Sequence, residues 1–207
     1  MLTAQLFEQL VSFNEIIFDL DNTLYHQEDF DRGAFEDIAY ALKKETHLPL
    51  NNIANFLINH KKIKGNKYNK LFNDALTKYD LPQDLLPIML SQYSLHNGRR
   101  ISNESGLIPL IKKYLTNKKI FVVTNGPIKV QQTKVSCLAI EEFATVIICS
   151  SNEPKQLKPN PYAFNQLSKK HSFIKPVMVG DDRSTDGVFA SNVNIPFIHF
   201  DITQADI

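Results

Sequence analysis

The chain has 207 residues, 43% apolar and 22% charged, with a formal net charge of +1; this is globular composition and excludes a disordered tail, a fibre and a membrane protein. Residues 1–13 carry Glu8 but no Lys or Arg, and no apolar run reaches the length of a membrane span, which argues against a signal peptide and for the cytoplasm. The length fits one domain with a sizeable insertion, and Cys137 and Cys149, which lack redox or zinc-ligand spacing, read as reduced, buried thiols.

In chain order, residues 15–20 form a short buried strand, because Ile16, Ile17 and Phe18 run together and the segment ends abruptly in polar residues. From Asp29 to about Ser94 the pattern becomes helical, with segments near 29–45, 51–63, 66–79 and 83–94 separated by Pro49, Gly65 and Pro82. Residues 41–80 hold eight Lys against Glu45, Asp74 and Asp80, whereas residues 1–40 are acidic. Lys61, Lys62, Lys64, Lys67 and Lys70 could steer an anion or bind nucleic acid, but a solvated helical face is the favoured account.

After Asn103 helices and strands alternate. A helix through Leu110 and Tyr114 precedes a strand at 119–123. A helix near 128–138, a strand at 145–149 and a helix at 161–170 follow, then a strand at 176–179, a helix near 185–192 and a last strand at 196–199. Five apolar strands separated by helices imply an α/β fold with a mostly parallel sheet. The division is a Rossmann-like core from 1–25 and 100–207, interrupted by an all-helical cap from 26–99.

Ligands of open parallel sheets bind beyond the carboxyl ends of the strands, and polar clusters fall there: Asp19-Leu20-Asp21-Asn22-Thr23, Thr124-Asn125-Gly126, Lys158-Pro159, and Gly180-Asp181-Asp182 with Asp186. An Asp-x-Asp-x-Thr string arises by chance in about one chain in thirty of this length at average residue frequencies. Alone, Asp21-Asn22-Thr23 could be a capped turn, Gly180-Asp181-Asp182 another turn, and Lys158 a surface residue. Their joint order after predicted strands favours a site.

These four segments closely resemble the motifs of the haloacid dehalogenase superfamily. Phe18-Asp19-Leu20-Asp21-Asn22-Thr23-Leu24 is similar to its first motif, Thr124 to its second, Lys158 in Lys158-Pro159-Asn160-Pro161 to its third, and Gly180 to Asp186 to its fourth. The helical insertion after the first motif resembles that of the subfamily of phosphoglycolate phosphatases, certain nucleotidases and dehalogenases. The resemblance implies phosphoryl transfer, with Asp19 as nucleophile and Asp21 as general acid and base, provided its surroundings keep Asp21 partly protonated. Dehalogenases lack an Asp at that second place, so Asp21 points to phosphoesters.

Mg2+ is the implied cofactor, with Asp19, the Asp21 carbonyl and Asp181 as ligands and Asp182 or Asp186 as a further one. Lys158, Thr124 and the backbone donors beside Thr124, that of Asn125 among them, are implied to bind the phosphoryl group. Tyr25, His26, Arg99 and Arg100 are candidates for substrate specificity, although Tyr25 could pack in a hinge and the two arginines could be surface residues. The expected partner is a small phosphorylated metabolite, namely a sugar phosphate, a nucleoside monophosphate or a phosphorylated small acid. No membrane is expected, nucleic acid is disfavoured, and monomer and homodimer both remain open. Two alternatives stand: a phosphotransferase or mutase acting on a sugar phosphate, and a non-catalytic scaffold that binds an anionic partner.

Overall fold

A computed structural model describes residues 3–43 and 49–206. The chain divides into two compact units, one formed by Met1–Gln27 with Ile101–Ile207 and the other by Glu28–Arg100. The crossings fall two residues and one residue later than the expected 25/26 and 99/100 divisions.

The first unit is built on a five-stranded sheet, β1 (Glu15–Phe18), β2 (Lys119–Gly126), β3 (Ala144–Ser150), β4 (Pro176–Gly180) and β5 (Phe197–His199), in the order β3-β2-β1-β4-β5. Every pairing is parallel, which establishes the expected α/β class. β1 is central, and Ile16, Ile17 and Phe18 are wholly buried, as a strand covered on both faces requires. The chain fills one side of β1 and then crosses to β4 on the other. The strand order therefore reverses beside β1, where open sheets bind ligands.

β1 stops two residues before the expected end. The Asp19 N–H still bonds the Val179 carbonyl at 2.9 Å, but the Leu20 carbonyl already accepts from Leu24 N–H at 3.0 Å, and Asn22 turns through φ 55°. β2 instead runs three residues further than expected, because its ladder with β3 extends to Gly126 opposite Ser150. Asn194 adopts φ 55° before β5, a left-handed turn that Asn tolerates.

Helix α1 (Thr3–Leu10) was not anticipated from the sequence, although Leu6 and Leu10 lie one turn apart and are fully buried. Cys149 is buried and Cys137 only half-buried, contrary to the expectation for the latter, and both are free thiols. Burial pushes the Cys149 thiol up to about 11, which leaves it unreactive.

The second unit contains most of α2 (Gln27–Leu42), then α3 (Leu50–Lys64), α4 (Leu71–Lys78) and α5 (Leu86–Leu95). Phe35, Ile38, Leu42, Leu57, Leu76 and Met89 form its core, and no strand occurs among its described residues. Residues 44 and 45 of the first expected helix lie outside the described residues. Helix α4 begins at Leu71 rather than 66, because residues 66–70 supply no apolar stripe and form turns. Lys61 does not lie on a solvated face: its ammonium is 2.5 Å from Asp31, a carboxylate with only 5% of its side chain exposed. Among the described residues no helix is long and apolar enough to cross a membrane.

The candidate active site

Four chain segments of the first unit bring charged groups together. Asp19 follows β1, Asp181 follows β4, Lys158 precedes helix α8 (Tyr162–Ser168), and Asp186 lies in the π-type turn Arg183–Gly187 before helix α9 (Val188–Asn192). The Lys158 ammonium donates to Asp19 Oδ1 and to Asp186 Oδ1, the latter at 2.7 Å. Carboxylate oxygens of Asp19, Asp181 and Asp186 lie within 4.8 Å of one another.

Gly180 makes this packing possible. A β-carbon there would fall on the Asp186 carboxylate, so only glycine lets Asp186 lie against the end of β4. Asp182 faces a different way. Its carboxylate accepts from Ser184 N–H at 2.8 Å, Ser184 Oγ at 2.6 Å, Thr185 N–H at 3.2 Å and Thr185 Oγ1 at 2.9 Å. It thus caps the turn, and Asp186 rather than Asp182 completes the carboxylate cluster.

Three carboxylates facing one ammonium leave an excess of negative charge, which the titration of these groups reflects. Burial pushes the Asp19 carboxyl well above its ordinary value, and Asp186 and Asp181 add to that against the pull of Lys158. Burial, Asp186 and Asp201 push Asp181 up to about 7. Burial pulls Lys158 down, but Asp186 and Asp19 more than reverse this and raise it. Crowded oxygen donors carrying surplus negative charge suit a hard divalent cation. The residues present therefore fit magnesium.

The phosphate-side groups separate on inspection. Thr124 is buried, and its Oγ1 accepts from Gln131 Nε2 at 2.5 Å, which leaves its own O–H free to donate. Asn125 is committed differently. Its Nδ2 donates to the Lys158 carbonyl at 3.0 Å, and its Oδ1 accepts from the Lys158 N–H at 2.9 Å. Both polar ends of the Asn125 side chain therefore hold the Lys158 main chain.

Asp21 is surrounded by donors. The Lys134 ammonium lies 2.7 and 2.8 Å from its two oxygens, the Tyr25 hydroxyl donates to Oδ1 at 2.6 Å, and Gln131 Nε2 donates to Oδ2 at 3.0 Å. Burial opposes ionisation, but Lys134, Tyr25 and Gln131 overcome it and hold the carboxyl below its ordinary value. The partly protonated resting state anticipated for Asp21 is therefore not what these surroundings favour.

Lys134 and Gln131, on helix α7 (Ile128–Cys137), were missed. The signal was present: Gln131, Lys134, Val135 and Leu138 stand at i, i+3, i+4 and i+7 and are all buried, so a Gln and a Lys occupy an inward-facing stripe.

Of the specificity candidates, Tyr25 is buried against Asp21 and His26 is half-buried beside it. Arg99 donates to Asp37 at 2.6 Å, to Glu36 at 3.0 Å and to the Gly33 carbonyl at 3.0 Å, and Arg100 donates to Glu36 at 2.5 Å. Both guanidinium groups thus bind partners within their own helical unit.

Residues 16–200 match the family described as haloacid dehalogenase-like hydrolase. The chain belongs to that family. Solved structures of this hydrolase fold agree. The magnesium-bound candidate HAD-hydrolase YfnB of Bacillus subtilis is 18% identical over 89% of this chain and 85% of its own, with a TM-score of 0.65. A candidate β-phosphoglucomutase of Thermotoga maritima is 16% identical over 90% and 84%, with a TM-score of 0.61. A HAD phosphatase of Thermococcus onnurineus is 18% identical over 90% and 85%, with a TM-score of 0.52. No curated protein matches the chain.

Proposed function

We propose that this haloacid dehalogenase-like hydrolase is a magnesium-dependent phosphatase that cleaves a small phosphomonoester through an aspartyl-phosphate on Asp19. One observation carries the proposal: a buried lysine bridges Asp19 and Asp186, and Asp181 joins the same carboxylate cluster. Buried like charges at this density are costly unless used, and Asp19 stands at the reversal point of the sheet.

In the first half-reaction an Asp19 oxygen forms a bond to phosphorus while the ester P–O bond breaks, and the departing oxygen takes a proton from the protonated form of Asp21, a minor form at rest that the second half-reaction regenerates. In the second, water forms a P–O bond, gives a proton to the Asp21 carboxylate, and the Asp19–phosphorus bond breaks to release phosphate. Lys158 holds Asp19 in place, the Thr124 hydroxyl and the backbone N–H of Asn125 donate to phosphoryl oxygens, and the Asn125 side chain holds the Lys158 main chain. Magnesium bound by Asp19, Asp181, Asp186 and the Asp21 carbonyl would draw negative charge from the phosphoryl oxygens. Asp182 is left out of that set, and Arg99 and Arg100 are assigned to the helical unit rather than to substrate. The two free cysteines suit a cytoplasmic setting.

The test is a panel of sugar phosphates, nucleoside monophosphates and small phosphorylated acids, with phosphate release measured in magnesium, with and without an acceptor sugar. Release in which the acceptor has no part supports the phosphatase. Transfer to the acceptor in place of release would establish the phosphotransferase instead. No turnover of any monoester, together with no phosphate trapped on Asp19, would sink both.

A further inference from the structure

We propose that Lys134 is a positioning residue that fixes the Asp21 carboxylate for proton transfer to the leaving group; this rests on the phosphatase function proposed above. Lys134 lies on the inward face of α7, with 2% of its side chain exposed, among Val130, Val135 and Leu138. An ammonium in such a place carries a desolvation cost that an apolar side chain would avoid. The geometry gives it a use. It bonds both Asp21 oxygens, and Tyr25 and Gln131 each add one further bond to opposite oxygens.

Four hydrogen bonds from three side chains fix both the plane and the position of the carboxylate. One of those side chains also locates the phosphate end of the site. Gln131 Nε2 reaches Thr124 Oγ1 at 2.5 Å as well as Asp21 Oδ2 at 3.0 Å. Helix α7 thereby sets the distance between the proton-transfer group and the hydroxyl that meets the phosphoryl group. Proton transfer is sensitive to displacements of this carboxylate well below the length of a bond to substrate. Loss of Lys134 therefore acts on the leaving group through Asp21, without contact between Lys134 and substrate.

A leaving group that departs readily as an anion, p-nitrophenolate, needs little proton transfer, whereas phenolate needs more and an alkoxide most. The experiment measures kcat/KM of the magnesium-loaded full-length protein on p-nitrophenyl phosphate, phenyl phosphate and glycerol phosphate. It compares wild type, Asp21→Asn, Lys134→Met and Lys134→Arg, with thermal melts to confirm folding. Lys134→Met is expected to lose at least about tenfold more on glycerol phosphate than on p-nitrophenyl phosphate, within the range that a general acid supplies. Lys134→Arg should recover part of that difference, and Asp21→Asn should display it in full.

A Lys134→Met enzyme that loses the same factor on all three esters, while Asp21→Asn discriminates among them, overturns the positioning role and leaves the phosphatase function intact. Should Lys134→Met not fold, Lys134→Gln is judged by the same ratio. A wild type that cleaves neither these three esters nor any monoester of the panel above, and traps no phosphate on Asp19, overturns the phosphatase function and this role with it.

Discussion

The ammonium of Lys158 bridges two carboxylates that would otherwise repel each other, Asp19 after β1 and Asp186 before α9. Its backbone is held from the other side by Asn125 at the end of β2. A single side chain thus ties three segments of the sheet's carboxyl edge together. The arrangement is stiff, yet it keeps an excess of negative charge that folding alone does not relieve.

Lys158→Met should therefore cost about 3–5 kcal/mol of stability, since it leaves two buried carboxylates uncompensated. Denaturant unfolding of the metal-free protein measures this. Magnesium should recover part of the loss by binding the same carboxylates. A variant as stable as wild type without metal would contradict the account of Lys158 as the compensating charge.

Asp19→Asn should lower turnover by at least about a thousandfold, because the amide has nearly the same shape but is a poor nucleophile. It also removes one of the crowded negative charges, so the variant should melt no lower than wild type. Near-wild-type activity in the folded variant would remove Asp19 from the nucleophilic role.

Gly180→Ala should displace Asp186, whose carboxylate occupies the space a β-carbon would take. We expect a loss of about 1–3 kcal/mol from overpacking, together with weakened magnesium binding. Titration calorimetry separates the two effects; unchanged magnesium affinity would show that the cation does not depend on Asp186.

EDTA should abolish activity, magnesium should restore it, and calcium should restore it poorly. Magnesium keeps compact octahedral coordination, whereas calcium accepts more oxygens at longer distances and can engage both oxygens of Asp19. Phosphate release by metal-stripped enzyme, at matched ionic strength, tests this. Full activity without metal would refute the cofactor, and equal activation by calcium would refute the geometric reason alone.

The metal-free protein should lose stability as pH rises from about 4 to about 7. Asp181 moves from an ordinary 3.8 to about 7 in the fold, so the native state holds its proton more tightly than the unfolded chain throughout that window. The contribution is complete below the window and is lost as pH climbs through it. Asp19 shifts in the same direction. Asp21 shifts oppositely, and its contribution, present above its ordinary 3.8, is lost only as pH falls below that value. Melting curves across the range, repeated with magnesium, measure the effect. Magnesium should flatten the decline, because it binds the deprotonated carboxylates; a metal-free melting temperature that rises over the window would contradict the raised acids.

What the sequence determined by itself was the framework. The apolar run Ile16–Ile17–Phe18 before Asp19, and the later apolar runs between helices, sufficed for the parallel sheet and for the expectation that Asp19 and Asp181 follow its strands. Those features are local: a strand is announced by its own apolar residues, and its end by the polar residues that follow. The inserted helical segment was equally legible from its periodicity, with ends that shifted wherever turns such as 66–70 interrupted the stripe.

Only the tertiary structure decided between neighbours of the same chemistry. Asp182 and Asp186 stand four residues apart, but one caps its own turn while the other fits against Gly180. Nothing local to Asn125 announces that its side-chain amide holds Lys158, 33 residues away. Lys134 reads as an ordinary helix lysine until it meets Asp21, 113 residues away. A side chain's hydrogen-bonding partner depends on which distant segments the packed sheet brings within about 3 Å, and a distance of that kind is a property of the fold rather than of any stretch of sequence.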